Sequence, residues 1–192
     1  AWINCRAAAR QLIQAGAGAL LSWGTAGALD PGLAPGALIL ASAVRIADID
    51  LKVDPSWHTW LRERLSALRP HCGLLLHSPH ALVDPVQKRD TYVASGALAV
   101  DMESGAVADV ATAAGVPYAV IRAIVDRQSD AIPACAMQGL GEDGEPRIAR
   151  TLCSLLRRPR ELVPLLRLAG GFRRAGATLR AASLHAGTLY PV

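Results

Sequence analysis

Aromatic residues make up only 4% of the 192 residues, with a single phenylalanine, so the core must be packed from Ala, Leu, Val and Ile. Lysine is scarcer still. Lys52 and Lys88 stand among twenty basic residues that are otherwise all arginine, a bias with no functional meaning of its own. The four cysteines (Cys5, Cys72, Cys135, Cys153) lie far apart, with no C-x-x-C pair and no recognisable signal peptide. That argues against a disulfide framework or a zinc site and favours a reducing cytoplasm. No metal site is expected. Acidic residues are nearly missing from the C-terminal stretch: residues 151–192 hold seven Arg and one Glu, a net charge of +6. Residues 1–150 hold thirteen basic and fifteen acidic side chains, a net charge of −2. The overall +4 therefore belongs to the tail, and the body lacks the basic patches interleaved with aromatics that a nucleic-acid partner needs. The tail instead suits an anionic membrane surface. Residues 11–29 are uncharged over the length of a membrane span, but glycines and a Ser-Trp-Gly-Thr turn signal break them, so no span is expected.

What is present is an alternation of helix-like and strand-like stretches, the pattern of an α/β fold with a largely parallel sheet. The length suits one domain, read as a body over 1–150 and a Leu/Arg-rich helical tail over 151–192. Residues 6–15 read as a helix ended by Gly16 and Gly18. Residues 19–22 read as a short strand running into a turn, Trp23-Gly24-Thr25-Ala26-Gly27. A buried strand is expected over 37–44 and a helix over 56–68, with Trp57, Trp60, Leu61, Leu65 and Leu68 at helical spacing. A strand over 97–102 passes into a helix over 103–114, and residues 118–125 are a strongly apolar strand. Residues 127–146 read as loop, and Pro159, Pro164 and Gly170-Gly171 are expected to interrupt the tail. Residues 2–5 look like a strand interior or its end, so a further strand is expected before Ala1.

Ligands of open α/β sheets bind beyond the carboxyl ends of the strands. Three such ends bear polar groups or glycines: Gly24 to Gly27, then Asp101-Met102-Glu103-Ser104, then Asp126. Each has an ordinary reading. A glycine turn is mostly a turn, Asp101 and Glu103 suit the dipole of the following helix, and Asp126 suits a turn. Even so, a carboxylate ending a fully apolar strand needs partners if it is buried.

Taken together, Val100-Asp101-Met102-Glu103-Ser104, a helix, and then Gly115-Val116-Pro117-Tyr118-Ala119-Val120-Ile121-Arg122-Ala123-Ile124-Val125-Asp126 resemble the purine nucleoside phosphorylase and nucleosidase superfamily. Ser22-Trp23-Gly24-Thr25-Ala26-Gly27-Ala28-Leu29, followed by Pro35-Gly36, is similar to that family's glycine turn. Within it the chain looks most like the hopanoid-associated phosphorylases, through Gly27-Ala28-Leu29-Asp30-Pro31 and Arg157-Arg158-Pro159.

The resemblance implies a phosphorylase/hydrolase-like three-layer α/β/α sandwich with a mixed, largely parallel sheet, and a homo-oligomer. It implies cleavage of a purine N-glycosidic bond, with adenine released from adenosylhopane. Asp126 would protonate purine N7, with Asp130 as fallback acid. Glu103 would accept from the ribose hydroxyls and Met102 would wall the sugar. Gly24, Thr25, Ala26 and Gly27 would hold the nucleophile. His80, Ala81, Leu82 and Asp101 would line the purine; His77 and His80 are as readily solvated loop residues. No cofactor is implied beyond phosphate as a co-substrate, and whether phosphate or water attacks stays open, because the family's first strand is not in this chain. A methylthioadenosine or S-adenosylhomocysteine nucleosidase, and a non-catalytic nucleoside-binding module, stay open as alternatives. The substrate would be an adenosylated small molecule or lipid, reached in the second case by peripheral contact at the inner membrane face.

Overall fold

The computed structural model describes residues 2–138 and 161–187. In chain order the elements are α1 (Trp2–Gln14), β1 (Leu20–Ala28), β2 (Leu38–Ile46), β3 (Ile49–Lys52), α2 (Pro55–Arg64), β4 (His71–His77), α3 (Pro85–Ser95), β5 (Ala99–Asp101), α4 (Ser104–Ala114), β6 (Tyr118–Asp126), α5 (Ala134–Gln138) and α6 (Leu162–Ala186). Two helices start on the same Asp-Pro device. Asp54 accepts from the amide of Trp57 at 2.7 Å, and Asp84 accepts from that of Val86 at 2.8 Å, each with proline next in the chain. A capping carboxylate satisfies an orphan N–H, and proline at the first helical position lacks one to satisfy. Helices α3 and α4 stop at Gly96 and Gly115, both left-handed with φ near +65°.

The strands form one sheet in the order β3-β2-β4-β5-β1-β6, and β2 also pairs with β6, so the sheet curls back on itself. The parallel pairings (β1–β6, β2–β4, β4–β5) are mixed with antiparallel ones (β1–β5, β2–β3, β2–β6). Helices cover both faces, which makes the fold a mixed α/β one. Ile39, Ala41, Val120 and Ile124 join a core shared with α4, while Leu38, Leu40, Ala119 and Ile121 join one shared with α2 and α6. Successive residues thus enter opposite cores, and the strands read as unbroken apolar runs because neither face meets water. Each fully buried Leu or Ile contributes about 1.5–3 kcal/mol.

Three sequence expectations are corrected. Residues 2–5 are the first turn of α1, not a strand, since their Ala-rich continuation favours helix. The stretch Trp23 to Gly27 is not a turn; β1 runs through it to Ala28, held by β6. Helix α6 is continuous across Pro164 and Gly170-Gly171. Pro164 falls in the first turn, where backbone N–H groups have no intrahelical partner to lose. Pro159, Arg157-Arg158 and the part of the 127–146 loop beyond residue 138 lie outside the described residues.

Gly171 has a packing reason. A Cβ there would collide with the carbonyl oxygen of Val125, so the glycine lets α6 lie directly on the end of β6. Ala175, Ala182 and Ala186 continue that buried side, and Thr178 donates to Gly36 O at 2.8 Å. Gly176, exposed on the same helix, faces open space. Gly171→Ala is therefore expected to cost about 1–3 kcal/mol by overpacking. Gly176→Ala should be neutral or stabilising by up to about 1 kcal/mol. Urea midpoints of the two variants check this; equal effects would mean that α6 does not sit on Val125.

Candidate active site

All nine residues of β6 are buried, and the strand ends at Asp126, which is 4% exposed. Its neighbour across the parallel pairing is Gly27, where a Cβ would lie 3.3 Å from Asp126 Oδ1. The register slips between Ala26 and Gly27, leaving Val125 as the extra residue of a β-bulge. Lys88, fully buried on α3, forms an ion pair with Asp126 Oδ2 and donates to Asp130 O at 2.7 Å and Arg127 O at 3.1 Å. Burial pushes the Asp126 carboxyl above the usual carboxylate range; Lys88 pulls it back in part, and Asp130 pushes it up.

Further back along β6, Arg122 is also buried, with its Nε donating to Asp101 Oδ2 at 2.6 Å and one terminal nitrogen to Ser22 Oγ at 2.7 Å. Asp101 accepts in addition from the Ser104 hydroxyl at 2.6 Å and from the Ser104 amide at the start of α4. Its carboxylate is thus engaged with Arg122 and with the helix start. Gly24 leaves room for the Arg122 guanidinium, 3.7 Å from where its Cβ would be. The two glycines of β1 therefore each stand against an ionisable side chain of β6.

Glu103 occupies the N-cap of α4 but makes no side-chain capping bond, and both Met102 and Glu103 are half-buried. Beside them lies the first turn of α1: burial, then the Glu103 charge, pushes the Cys5 thiol up. Trp2 packs on His77 with ring centroids 4.5 Å apart. His77 ends β4 close against Gly105, and its buried Nδ1 has no hydrogen-bond partner among the described residues. Burial pushes its pKa down, with Asp101 acting the other way. His80 is exposed, in a turn closed by the Ser78 hydroxyl. Ala81 and Leu82 are half-buried, and Leu82 packs with Leu29 and Val100. Ile132 donates to Val83 O at 3.0 Å, so the loop after Asp126 is tied to the one carrying Ala81 and Leu82.

The structure thus sets Gly24 to Gly27 along β6, with Asp126 at one end of the row, and β5, which pairs with β1 at Gly27 and Ala28, leads into Met102-Glu103 on the other side. His80 does not join this group. An open cavity of about 390 Å³ lies at the far end of β6, beside Lys52, Asp54 and Tyr118, and holds none of these residues. Sequence reasoning missed Lys88 and Arg122. The signal for Lys88 was the Asp84-Pro85 helix start, which sets α3 and the buried side on which its lysine lies.

Residues 3–157 match the model of the phosphorylase superfamily, and the chain belongs to that superfamily. No curated protein matches it significantly. Among solved structures, a Weissella paramesenteroides protein described as a methylthioadenosine nucleosidase is similar at 26% identity and TM-score 0.60, over 64% of either chain. The chain therefore spans somewhat less than two thirds of that relative. An S-adenosylhomocysteine nucleosidase of Streptococcus pyogenes shares the fold at 18% identity and TM-score 0.72, covering 99% of this chain and 76% of that one. Futalosine hydrolase of Helicobacter pylori does so at 16% identity and TM-score 0.69, covering 96% and 74%.

Removing one partner of a buried ion pair strands the other charge, at a cost of about 3–5 kcal/mol. Asp101→Ala is expected to lose stability on that scale in urea unfolding. The double variant Asp101→Ala/Arg122→Met should recover much of it, because no unpaired cation remains. A single-variant cost below about 1 kcal/mol would mean that Arg122 does not depend on Asp101.

Proposed function

We propose that this chain cleaves the N-glycosidic bond of a purine nucleoside. The observation that carries the reading is the buried Asp126 carboxyl, held at a strand end against Gly27 with its proton affinity raised. A leaving purine must gain a proton as the C1′–N9 bond breaks and its electron pair moves into the ring. A carboxyl whose affinity for a proton is raised by burial suits that donation to N7. Glu103, half-buried and not engaged as a cap, suits the ribose hydroxyls, which become better donors as positive charge develops on the sugar. Met102 beside it offers a polarizable wall. β5 pairs with β1 only at Gly27 and Ala28, so among the described residues no strand ladders that edge of Gly24, Thr25 and Ala26. Their backbone supports a site for the attacking water or phosphate.

We take the substrate to be adenosylated, and adenosylhopane to be the specific one, a reading supported by the sequence resemblance and by the surface of α6. That helix bears no acidic residue. It exposes Leu162, Val163, Leu166, Phe172 and Leu184 together with Arg167, Arg173, Arg174 and Arg180. A pentacyclic lipid would have to be met at a bilayer, and apolar side chains interleaved with arginines suit the headgroup layer. Among the described residues no helix is long and apolar enough to cross a membrane. The second reading, a methylthioadenosine-type nucleosidase, is favoured by what the similar structures are described as doing.

Free base is to be measured from adenosylhopane, methylthioadenosine and inosine, with and without phosphate. Adenine from the first alone supports the lipid reading; adenine from the second shifts the assignment; no base from any of them sinks the proposal. Asp126→Asn should lower turnover by about 10²–10⁴-fold while nucleoside still binds, since an amide keeps a hydrogen bond but no acidic proton. Glu103→Gln should lower kcat as well as raise KM, and a 2′,3′-dideoxy substrate should be poor for the wild type yet little worse for this variant. Equal discrimination by both enzymes would remove Glu103 from the sugar site.

Co-sedimentation with vesicles should need anionic lipid, weaken with salt, and vanish when Arg157, Arg158, Arg173 and Arg174 become Gln, at about 1 kcal/mol per arginine. Absence of binding at every salt concentration would leave α6 as packing alone.

A further inference from the structure

Lys88 is the feature that the reading above leaves unused. It is fully buried, 38 residues from Asp126 in sequence, and it engages all three of its N–H bonds. One goes to Asp126 Oδ2, and two go to the carbonyls of Arg127 and Asp130, in the turn that follows Asp126. Both carboxylate oxygens of Asp126 border Gly27, and Oδ1 has no hydrogen-bond partner among the described residues.

Resting on the reading of Asp126 as the acid, we propose that Lys88 is its positioning residue. The ammonium fixes Oδ2 and clamps the Arg127–Asp130 turn to α3. It leaves Oδ1 as the oxygen through which the proton passes, and it pairs the carboxylate left behind. The proton moves from Asp126 to purine N7 while the C1′–N9 pair moves into the purine, so a buried negative charge appears where none stood before. Without a cation beside it, that charge would be strongly disfavoured. Lys88 is not the donor itself, since two backbone carbonyls hold its other protons.

The charged groups around Asp126 are few. Among the described residues, Asp130 is the other ionisable group acting on it. β1 has no ionisable side chain, and Arg122 on β6 is paired with Asp101. His77 ends β4, Glu103 starts α4, and the arginines of α6 (Arg167, Arg173, Arg174, Arg180) are exposed.

The test compares wild type with Lys88→Met, which keeps an apolar stem without the charge, and with Lys88→Arg, which keeps the charge. Titration of the Asp126 carboxyl carbon by NMR needs no substrate. Its midpoint should move to higher pH in Lys88→Met and stay near wild type in Lys88→Arg. In kcat/KM, the limb that falls as the acid loses its proton should move to higher pH in Lys88→Met, with kcat about tenfold lower or worse, and Lys88→Arg should restore both. An unmoved Asp126 titration overturns the proposal, as does a loss of rate with an unshifted limb, which would mean a merely structural lysine. If Lys88→Met does not fold, Lys88→Met/Asp126→Asn should, because no buried charge is stranded; failure of that double variant too overturns the pairing. A wild type that releases no base, with the titration shift intact, counts against the purine reading and supports the pairing.

Discussion

Every residue of β6 lies out of water, yet two of the nine bear charged side chains, Arg122 and Asp126. Charges in such a place cost several kcal/mol each unless they are paired and hydrogen-bonded. Each has therefore drawn a partner from a distant part of the chain, Asp101 at the end of β5 and Lys88 in the first turn of α3. Compared with apolar residues of similar volume, such pairs add little net stability. Their effect is on arrangement, because the elements that carry the partners must arrive in one relative position or leave a charge stranded. The strand end, the start of α4 and the turn after Asp126 are thus placed by electrostatics as much as by packing.

The curled sheet gives these pairs their dry surroundings. Because β2 pairs with both β4 and β6, strands far apart in the sheet order enclose the same apolar interior, and helices cover it from both sides. On the outer side α6 closes down through Gly171 onto the carbonyl of the bulged residue itself. The long C-terminal helix, whose exposed side is apolar and basic, thus rests one residue from Asp126. Its two sides do different things: one supports the bulge, the other remains open to whatever surface the chain meets.

Much of this was legible in the sequence where local chemistry decides. The continuous apolar run ending at Asp126, the strand before Met102 and the helix after Glu103 follow from patterning and from the glycine stops. The resemblance singled out Asp126 and the Met102-Glu103 corner. What stayed hidden depends on distant partners. Residues 23–27 look like a turn because two glycines in five suggest one, but β6 supplies the ladder that keeps them extended. Gly171 looks like a helix breaker because local propensity cannot register the carbonyl packed against it. Asp101 looks like a pocket residue because nothing near it in sequence reveals Arg122, 21 residues on. The same holds for Lys88, whose partner lies beyond an entire strand and helix.

Along β1 the glycines stand three residues apart, at 24 and 27, whereas Arg122 and Asp126 on the neighbouring strand stand four apart. Two regular strands in parallel register keep step with one another, so a three cannot meet a four. Val125 supplies the missing count. Were the pairing regular, Asp126 would fall opposite Ala28, on the other face of β1, and its carboxyl would face a methyl group instead of the space a glycine leaves. The pairing of Gly-x-x-Gly in one strand with Arg-x-x-x-Asp in its neighbour is therefore a bulge written as spacing. In any chain that shares this sheet, the side from which the carboxyl is presented can be read by counting.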